Sequence, residues 1–114
     1  MRAILLAIGL GFVAQASAAQ SCSEIRFARG ASSGEVSGYT IDGEPRCYTF
    51  GSGAGQTATV ELFSTGNACF TIAGVVDCRA EYRFTTNRQT YRIGVYQLLR
   101  SPSYEEFRLR LTIY

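Results

Sequence analysis

Residues 89–114 read QTYRIGVYQLLRSPSYEEFRLRLTIY and carry the clearest structural signal in the chain. Apolar and aromatic side chains alternate with polar ones from Tyr91 to Tyr96, and the same alternation returns from Phe107 to Tyr114. A period of two over two such runs predicts two β-strands, each with one face in a core and one face in solvent. We therefore expect an antiparallel hairpin at this end of the chain.

A polar connection, residues 100–106, separates the two runs. Pro102 cannot continue a strand ladder, and the residues around it are small, polar or amphipathic. A rigid sheet that presents a short loop is a common way to build a binding site. We take this loop as the candidate partner-binding site, and its candidate contact residues are Arg100, Ser101, Ser103 and Tyr104.

The first residues, 1–18, read MRAILLAIGLGFVAQASA and have the features of a secretory signal peptide. Arg2 gives a basic start, the apolar run is too short to span a bilayer, and the closing ASA is a small-x-small cleavage site. An acylated lipoprotein would use Cys22, but the preceding residues lack the usual aliphatic side chain. We expect one mature domain over residues 19–114, no membrane anchor and a periplasmic or secreted location.

The rest of the chain repeats the alternating pattern in shorter runs. An example is TATVELFS at residues 57–64, and a turn of type DGEP occurs at residues 42–45. Such runs number about eight, at intervals of roughly ten residues, and no segment has helical periodicity. The sequence therefore predicts an all-β fold, an antiparallel β-sandwich of jelly-roll type.

Four cysteines, Cys22, Cys47, Cys69 and Cys78, fall in the expected mature chain. An even number in an exported protein favours two disulfides. Strand parity places Cys22 and Cys47 on outward positions, and Cys69 and Cys78 flank a segment short enough for a local hairpin that contains a turn or bulge. We predict pairing of Cys22 with Cys47 and of Cys69 with Cys78. A zinc site is disfavoured, because there is no C-x-x-C spacing and no histidine.

The charged residues exclude several classes of function. Eleven basic residues, all Arg, face nine acidic ones, so the net charge of +2 does not favour nucleic acid or an anionic membrane. Without histidine, a Ser-His-Asp triad or a Cys-His dyad is impossible. The adjacent Glu105 and Glu106 point to opposite faces of a strand, so surface solvation is preferred to catalysis. We expect a non-enzymatic monomer or homodimer without metal or cofactor.

Two segments resemble a known family: residues 24–38, EIRFARGASSGEVSG, and residues 47–62, CYTFGSGAGQTATVEL. Their pattern is similar to the first half of the bacterial periplasmic inhibitors of goose-type and invertebrate-type lysozymes, and the last two strand segments are similar to that family's final strands. The core is shared with the wider group of pre-peptidase C-terminal-like β-sandwiches. The matching residues are Gly30, Ser32, Ser33, Ser37, Gly38, Tyr48, Phe50, Gly55 and Gln56.

The resemblance implies a periplasmic inhibitor whose partner is lysozyme or a related peptidoglycan hydrolase. A preorganised loop would enter the enzyme's cleft, where Arg100 and the hydroxyl groups of the loop would reach carboxyl and polar groups, and Tyr104 would be the anchor. The chain departs from the family in this loop, which is shorter and contains one Arg, and in its two cysteine pairs.

The alternative is a non-catalytic β-sandwich of the cell envelope that binds glycan or protein through a sheet face. Aromatic side chains grouped on one exposed face are typical of such surfaces. A patch made of Tyr39, Tyr96 or Phe63 would favour this hypothesis.

Overall fold

The computed structural model describes residues 21–114, which form nine β-strands and no helix. The predicted signal peptide lies outside the described residues, and within them no helix exists that could cross a bilayer. The strands are β1 (Ser23–Glu24), β2 (Ser33–Thr40), β3 (Arg46–Ser52), β4 (Thr57–Ser64), β5 (Ala68–Ile72), β6 (Val76–Arg79), β7 (Glu81–Thr85), β8 (Gln89–Gln97) and β9 (Glu105–Ile113).

The strands form two sheets that face each other. Sheet A has five strands in the order β1-β3-β8-β5-β6, and sheet B has four in the order β2-β9-β4-β7. Every pairing is antiparallel except that of β1 with β3. The predicted all-β, antiparallel sandwich is confirmed.

The predicted hairpin of the last two strands is wrong. β8 lies in the middle of sheet A between β3 and β5, whereas β9 lies in the middle of sheet B between β2 and β4. The connection between β8 and β9 therefore crosses from one sheet to the other. Alternation of apolar and polar residues is the same in both arrangements, because each strand buries one face whichever neighbours it pairs with.

The core is built from the inward faces of both sheets. Tyr91, Ile93 and Val95 of β8 face Phe107, Leu109 and Leu111 of β9, and all six are at most 3% exposed. Burial of side chains of this size is worth about 1.5 to 3 kcal/mol each. Aromatic contacts extend the core, since Tyr91 stacks on Phe50 at 5.3 Å and meets Phe84 edge-on at 5.2 Å. The stretch quoted first thus supplies the centre of both layers.

Two disulfides reinforce sheet A, one joining Cys22 to Cys47 and the other joining Cys69 to Cys78. The first fixes the segment before β1 to β3. The second joins β5 to β6, where the strand register shifts and Cys78 has a φ of 40°. This irregularity is the turn or bulge that the sequence predicts between the two cysteines.

The segment after β1 passes beneath β2 on its way from sheet A to sheet B. A Cβ atom on Gly34 would lie 2.8 Å from the carbonyl oxygen of Arg26 and 3.1 Å from the Phe27 ring. Because the first of these is a backbone atom, a larger residue would have to displace the segment. Glycine at this position therefore allows the segment after β1 to pack closely against β2.

Three connections meet at one end of the sandwich, which we call the loop end: residues 41–45, 65–67 and 98–104. Their proximity follows from the strand registers, since Thr40 pairs with Glu105 and Ala68 pairs with Gln97. The connections at residues 53–56 and 86–88 lie at the other end, which we call the opposite end.

Candidate functional site

The connection between β8 and β9 runs over residues 98–104, two residues earlier than the predicted loop. β9 already begins at Glu105, so Glu105 and Glu106 belong to a strand. Leu98 and Leu99, which continue the strand pattern in the sequence, lie in the loop and are exposed. Gln97 and Glu105, both polar, occupy the buried positions where the two strands meet the loop.

Gln97 closes the neck of this loop. Its side-chain Nε2 donates to the carbonyl oxygen of Ser103 at 2.7 Å, and its Oε1 accepts from the amide of Ser101 at 3.0 Å. Within the loop, the amide of Ser103 donates to the Ser101 hydroxyl oxygen at 3.2 Å. A buried amide that uses both its donor and its acceptor in this way holds the loop in one shape.

Asn67 binds the other side of the loop from the connection between β4 and β5. Its Nδ2 donates to the carbonyl oxygen of Leu99 at 2.9 Å, and its Oδ1 accepts from the amide of Leu99 at 2.7 Å. The amide of Leu98 also donates to the carbonyl oxygen of Asn67, at 3.2 Å. The backbone of both leucines is therefore fixed while their side chains remain exposed.

Glu105 anchors Asn67 in turn. The Glu105 carboxylate accepts from the amide of Thr65 at 2.9 Å, from the Thr65 hydroxyl, and from the amide of Asn67 at 3.3 Å. The Thr65 hydroxyl is the main reason that the pKa of Glu105 lies below its usual value, and the backbone amides act in the same direction against the effect of burial. The predicted surface solvation of Glu105 is wrong, because a carboxylate with several donors can be buried without losing its charge.

The predicted contact residues occupy different roles in this loop. Tyr104 leaves 58% of its surface exposed. Arg100 is also exposed, and its Nε lies 3.1 Å from Oδ2 of Asp42 in the connection between β2 and β3. Ser101 and Ser103 take part in the hydrogen bonds that shape the loop. Arg100, Ser103 and Tyr104 are exposed, whereas the Ser101 hydroxyl accepts a hydrogen bond within the loop.

Exposed apolar surface is concentrated at the loop end. Five large apolar or aromatic side chains are exposed among residues 21–114, and all but Tyr114 lie there: Tyr39, Leu98, Leu99 and Tyr104. Leu99, at 71%, is the most exposed of them. The sequence pattern does not identify the leucines as site residues, although Gln97, a polar residue at an inward position, signals the end of the strand.

The aromatic residues proposed for a sheet face do not form one patch. Tyr39 and Phe63 lie on the outer face of sheet B, whereas Tyr96 lies on sheet A with its hydroxyl 2.7 Å from that of Thr71. The Phe63 ring is covered by the guanidinium of Arg108, whose carbon is 4.3 Å from the ring centre.

Ion pairs complete the surface around Phe63. Glu35 accepts from Arg110 at 2.9 Å and from Arg108 at 3.1 Å, and the bond from Arg110 is the main cause that lowers the pKa of Glu35. Residues 21–114 contain neither a free cysteine nor a group of three potential metal ligands.

These features define a β-sandwich with two disulfides and a preorganised loop at one end. No family model and no curated protein sequence matches the chain. In fold it is similar to PliG of Aeromonas hydrophila, a periplasmic lysozyme inhibitor of g-type lysozyme, with a TM-score of 0.72 and 24% identity over 82% of this chain and 96% of that one.

Two further solved structures have the same fold. A mutant of PliG from Escherichia coli, also a periplasmic lysozyme inhibitor of g-type lysozyme, gives a TM-score of 0.65 and 18% identity, covering 81% of this chain and 96% of that chain. The pre-peptidase C-terminal domain of a collagenase from Bacillus anthracis gives a TM-score of 0.57 and 14% identity, covering 84% and 99%. These similarities confirm the predicted β-sandwich fold.

Proposed function

We propose that the protein is a non-catalytic, periplasmic inhibitor of lysozyme or of a related peptidoglycan hydrolase, and that it binds the enzyme through the loop end. The observation that carries the proposal is the loop of residues 98–104, which is held rigidly and yet exposes Leu98, Leu99, Arg100 and Tyr104. Support also comes from the fold, which is similar to that of periplasmic inhibitors of g-type lysozyme. The two disulfides fit an oxidising compartment.

The mechanism is occlusion of the enzyme's sugar-binding cleft by the loop. Arg100 is the group that meets a carboxylate there. Its ion pair with Asp42 is exposed, and exposed pairs are worth only about 0 to 1 kcal/mol, so the guanidinium can exchange Asp42 for a carboxylate of the partner. A desolvated Arg-carboxylate pair is stronger and more directional than the pair it replaces.

Leu99 and Tyr104 supply the apolar contacts. Ordering a flexible side chain on binding costs about 0.5 to 1.5 kcal/mol, and ordering a loop costs more. Here the loop backbone is already fixed by Asn67 and Gln97, so that cost is met when the protein folds. Aromatic side chains with a polar tip are frequent anchors in protein interfaces.

Binding of glycan or protein through a sheet face remains the alternative function. It needs an aromatic platform, and Phe63 is covered by Arg108 while Tyr96 lies on the other sheet and bonds to Thr71. The observations therefore favour the loop end over either sheet face.

A titration of the purified mature protein against goose-type, invertebrate-type and chicken-type lysozymes tests the proposal. We expect loss of activity for at least one enzyme. Tyr104→Ala should weaken inhibition about thirtyfold or more, and Arg100→Ala about tenfold. Tyr114→Ala is the matched control, because Tyr114 is a similarly exposed tyrosine at the opposite end. Full activity of all three enzymes, or equal effects of Tyr104→Ala and Tyr114→Ala, would overturn the proposal.

A further inference from the structure

Four strands form the edges of the two sheets, and three of them are protected against further pairing. β1 has two residues. β6 has four, with a register shift beside the disulfide of Cys78. β7 has five residues and carries the charged side chains of Glu81 and Arg83. Short length, irregular pairing and charge are the usual means by which sheet edges avoid other strands.

The fourth edge strand, β2, is neither short nor irregularly paired. It spans eight residues, SGEVSGYT, pairs with β9 in one continuous register, and contains neither proline nor lysine. Its one charged side chain, Glu35, is neutralised by ion pairs with Arg108 and Arg110. A long, regular edge without net charge is suited to accept another strand.

The hydrogen-bonding pattern shows which backbone groups of β2 are available. The amide of Ile113 donates to the carbonyl oxygen of Ser32 at 2.8 Å, so even-numbered residues of β2 bond to β9 and odd-numbered ones point away. The outward residues are Ser33, Glu35, Ser37 and Tyr39. The Tyr39 carbonyl oxygen accepts from Nε of Arg46 at 2.7 Å. No backbone group within residues 21–114 bonds to the other outward groups.

We propose that this free edge pairs with β2 of a second copy of the chain, antiparallel, around a twofold axis beside Val36. Glu35 of each copy then lies opposite Ser37 of the other copy. The backbone amides and carbonyl oxygens of these two residues, which point away from β9, would bond to each other across the interface. An axis beside Glu35 would place two carboxylates opposite each other, which is unfavourable. The two four-stranded sheets would become one continuous sheet.

A second copy is the occupant that this edge fits best, because donors and acceptors alternate along it and an antiparallel twofold pairing uses the same residues from both partners. In this arrangement the two copies of β2 run in opposite directions, so their loop ends face opposite sides and both remain accessible. The pairing is independent of the proposed inhibition.

Sedimentation of the mature protein, over concentrations up to the millimolar range, tests the pairing. Ser37→Pro removes the amide that would donate to the second copy, while the bonds from β2 to β9 remain, because the Ser37 amide points away from β9. Ser37→Ala keeps the amide and is the matched control. We expect twice the monomer mass for the wild type and Ser37→Ala, and the monomer mass for Ser37→Pro. A monomeric wild type, or a folded Ser37→Pro dimer, would overturn the proposal.

Amide hydrogen exchange of the wild type, followed residue by residue by NMR, gives a test that needs no variant. The amides of Glu35 and Ser37 should exchange more slowly as protein concentration rises. The amides of Arg83 and Thr85, which point outward on the protected edge β7, should remain fast. Equally fast exchange of Glu35 and Arg83 at every concentration would contradict the pairing.

Discussion

The two ends of the sandwich are both held by side-chain hydrogen bonds but differ in what they expose. At the opposite end, the buried Thr86 hydroxyl donates to the carbonyl oxygen of Gly53 at 2.7 Å and accepts from the amide of Gln56 at 3.1 Å. At the loop end, Asn67 and Gln97 act in the same way. Only the loop end combines this rigidity with a group of exposed apolar side chains among residues 21–114, and this combination is the reason we propose it as the binding surface.

Several residues that carry the sequence resemblance shape the fold and lie outside the proposed binding surface. Gly30 and Gly55 have φ values of 80° and 75°, which glycine adopts without strain. The Gln56 side chain accepts from the amide of Gly53 at 2.8 Å. Because these residues shape turns away from the loop end, the resemblance predicts the fold better than it predicts the partner.

The largest effect is expected at the opposite end. Thr86→Val keeps the volume of the side chain but leaves the carbonyl oxygen of Gly53 and the amide of Gln56 without their partner. We expect the free energy of unfolding to fall by about 2 to 4 kcal/mol, as measured by urea denaturation. Inhibition by the folded variant should be unchanged. A loss of inhibition would show that the opposite end contributes to binding of the enzyme.

A substitution at the loop end should reduce stability less, but it should also weaken binding to the enzyme. Asn67→Ala removes both side-chain bonds to Leu99, at an exposed site where the cost is about 1 kcal/mol. Because the loop must then be ordered on binding, inhibition should weaken about tenfold. Unchanged inhibition by Asn67→Ala would mean that preorganisation of this loop does not contribute to binding.

The smallest expected effect is on the stability of the protein at acidic pH. The pKa of Glu105 is lower in the folded chain than the value of about 4.3 expected when unfolded, so its contribution to stability is present above that value and is lost as pH falls through the folded pKa. Unfolding experiments between neutral pH and pH of about 3 should show a smaller acid-induced loss of stability for Glu105→Gln than for the wild type. Equal losses would contradict a role for the Glu105 charge.

The sequence predicts the inward faces of the strands well, because side-chain parity is a local property. It does not predict which strands pair. β8 and β9 have the alternation of a hairpin, yet each takes its neighbours from distant parts of the chain: Cys47 of β3 pairs with Gly94, and Val36 of β2 pairs with Leu109. Pairing is decided by the packing of the whole sandwich rather than by local pattern.

The structure of the candidate site was predictable only in part, because its contacts also come from distant parts of the chain. Arg100 and Tyr104 stand out in the sequence as a charged and an aromatic residue beside a proline. Asn67 is distant in sequence from the loop of residues 98–104. Its two hydrogen bonds to Leu99 form only in the assembled sheets. Buried polar residues such as Glu105 are poorly predicted, because their partners come from other connections.

An NMR map of backbone amide shifts, recorded while a susceptible lysozyme is added to labelled protein, tests the central claim most directly. We predict that the largest changes fall in residues 98–104, with smaller ones in residues 41–45 and 65–67. Residues 53–56 and 86–88 should not change. Changes centred on the opposite end, or on the outer face of either sheet, would contradict the assignment of the binding surface to the loop end.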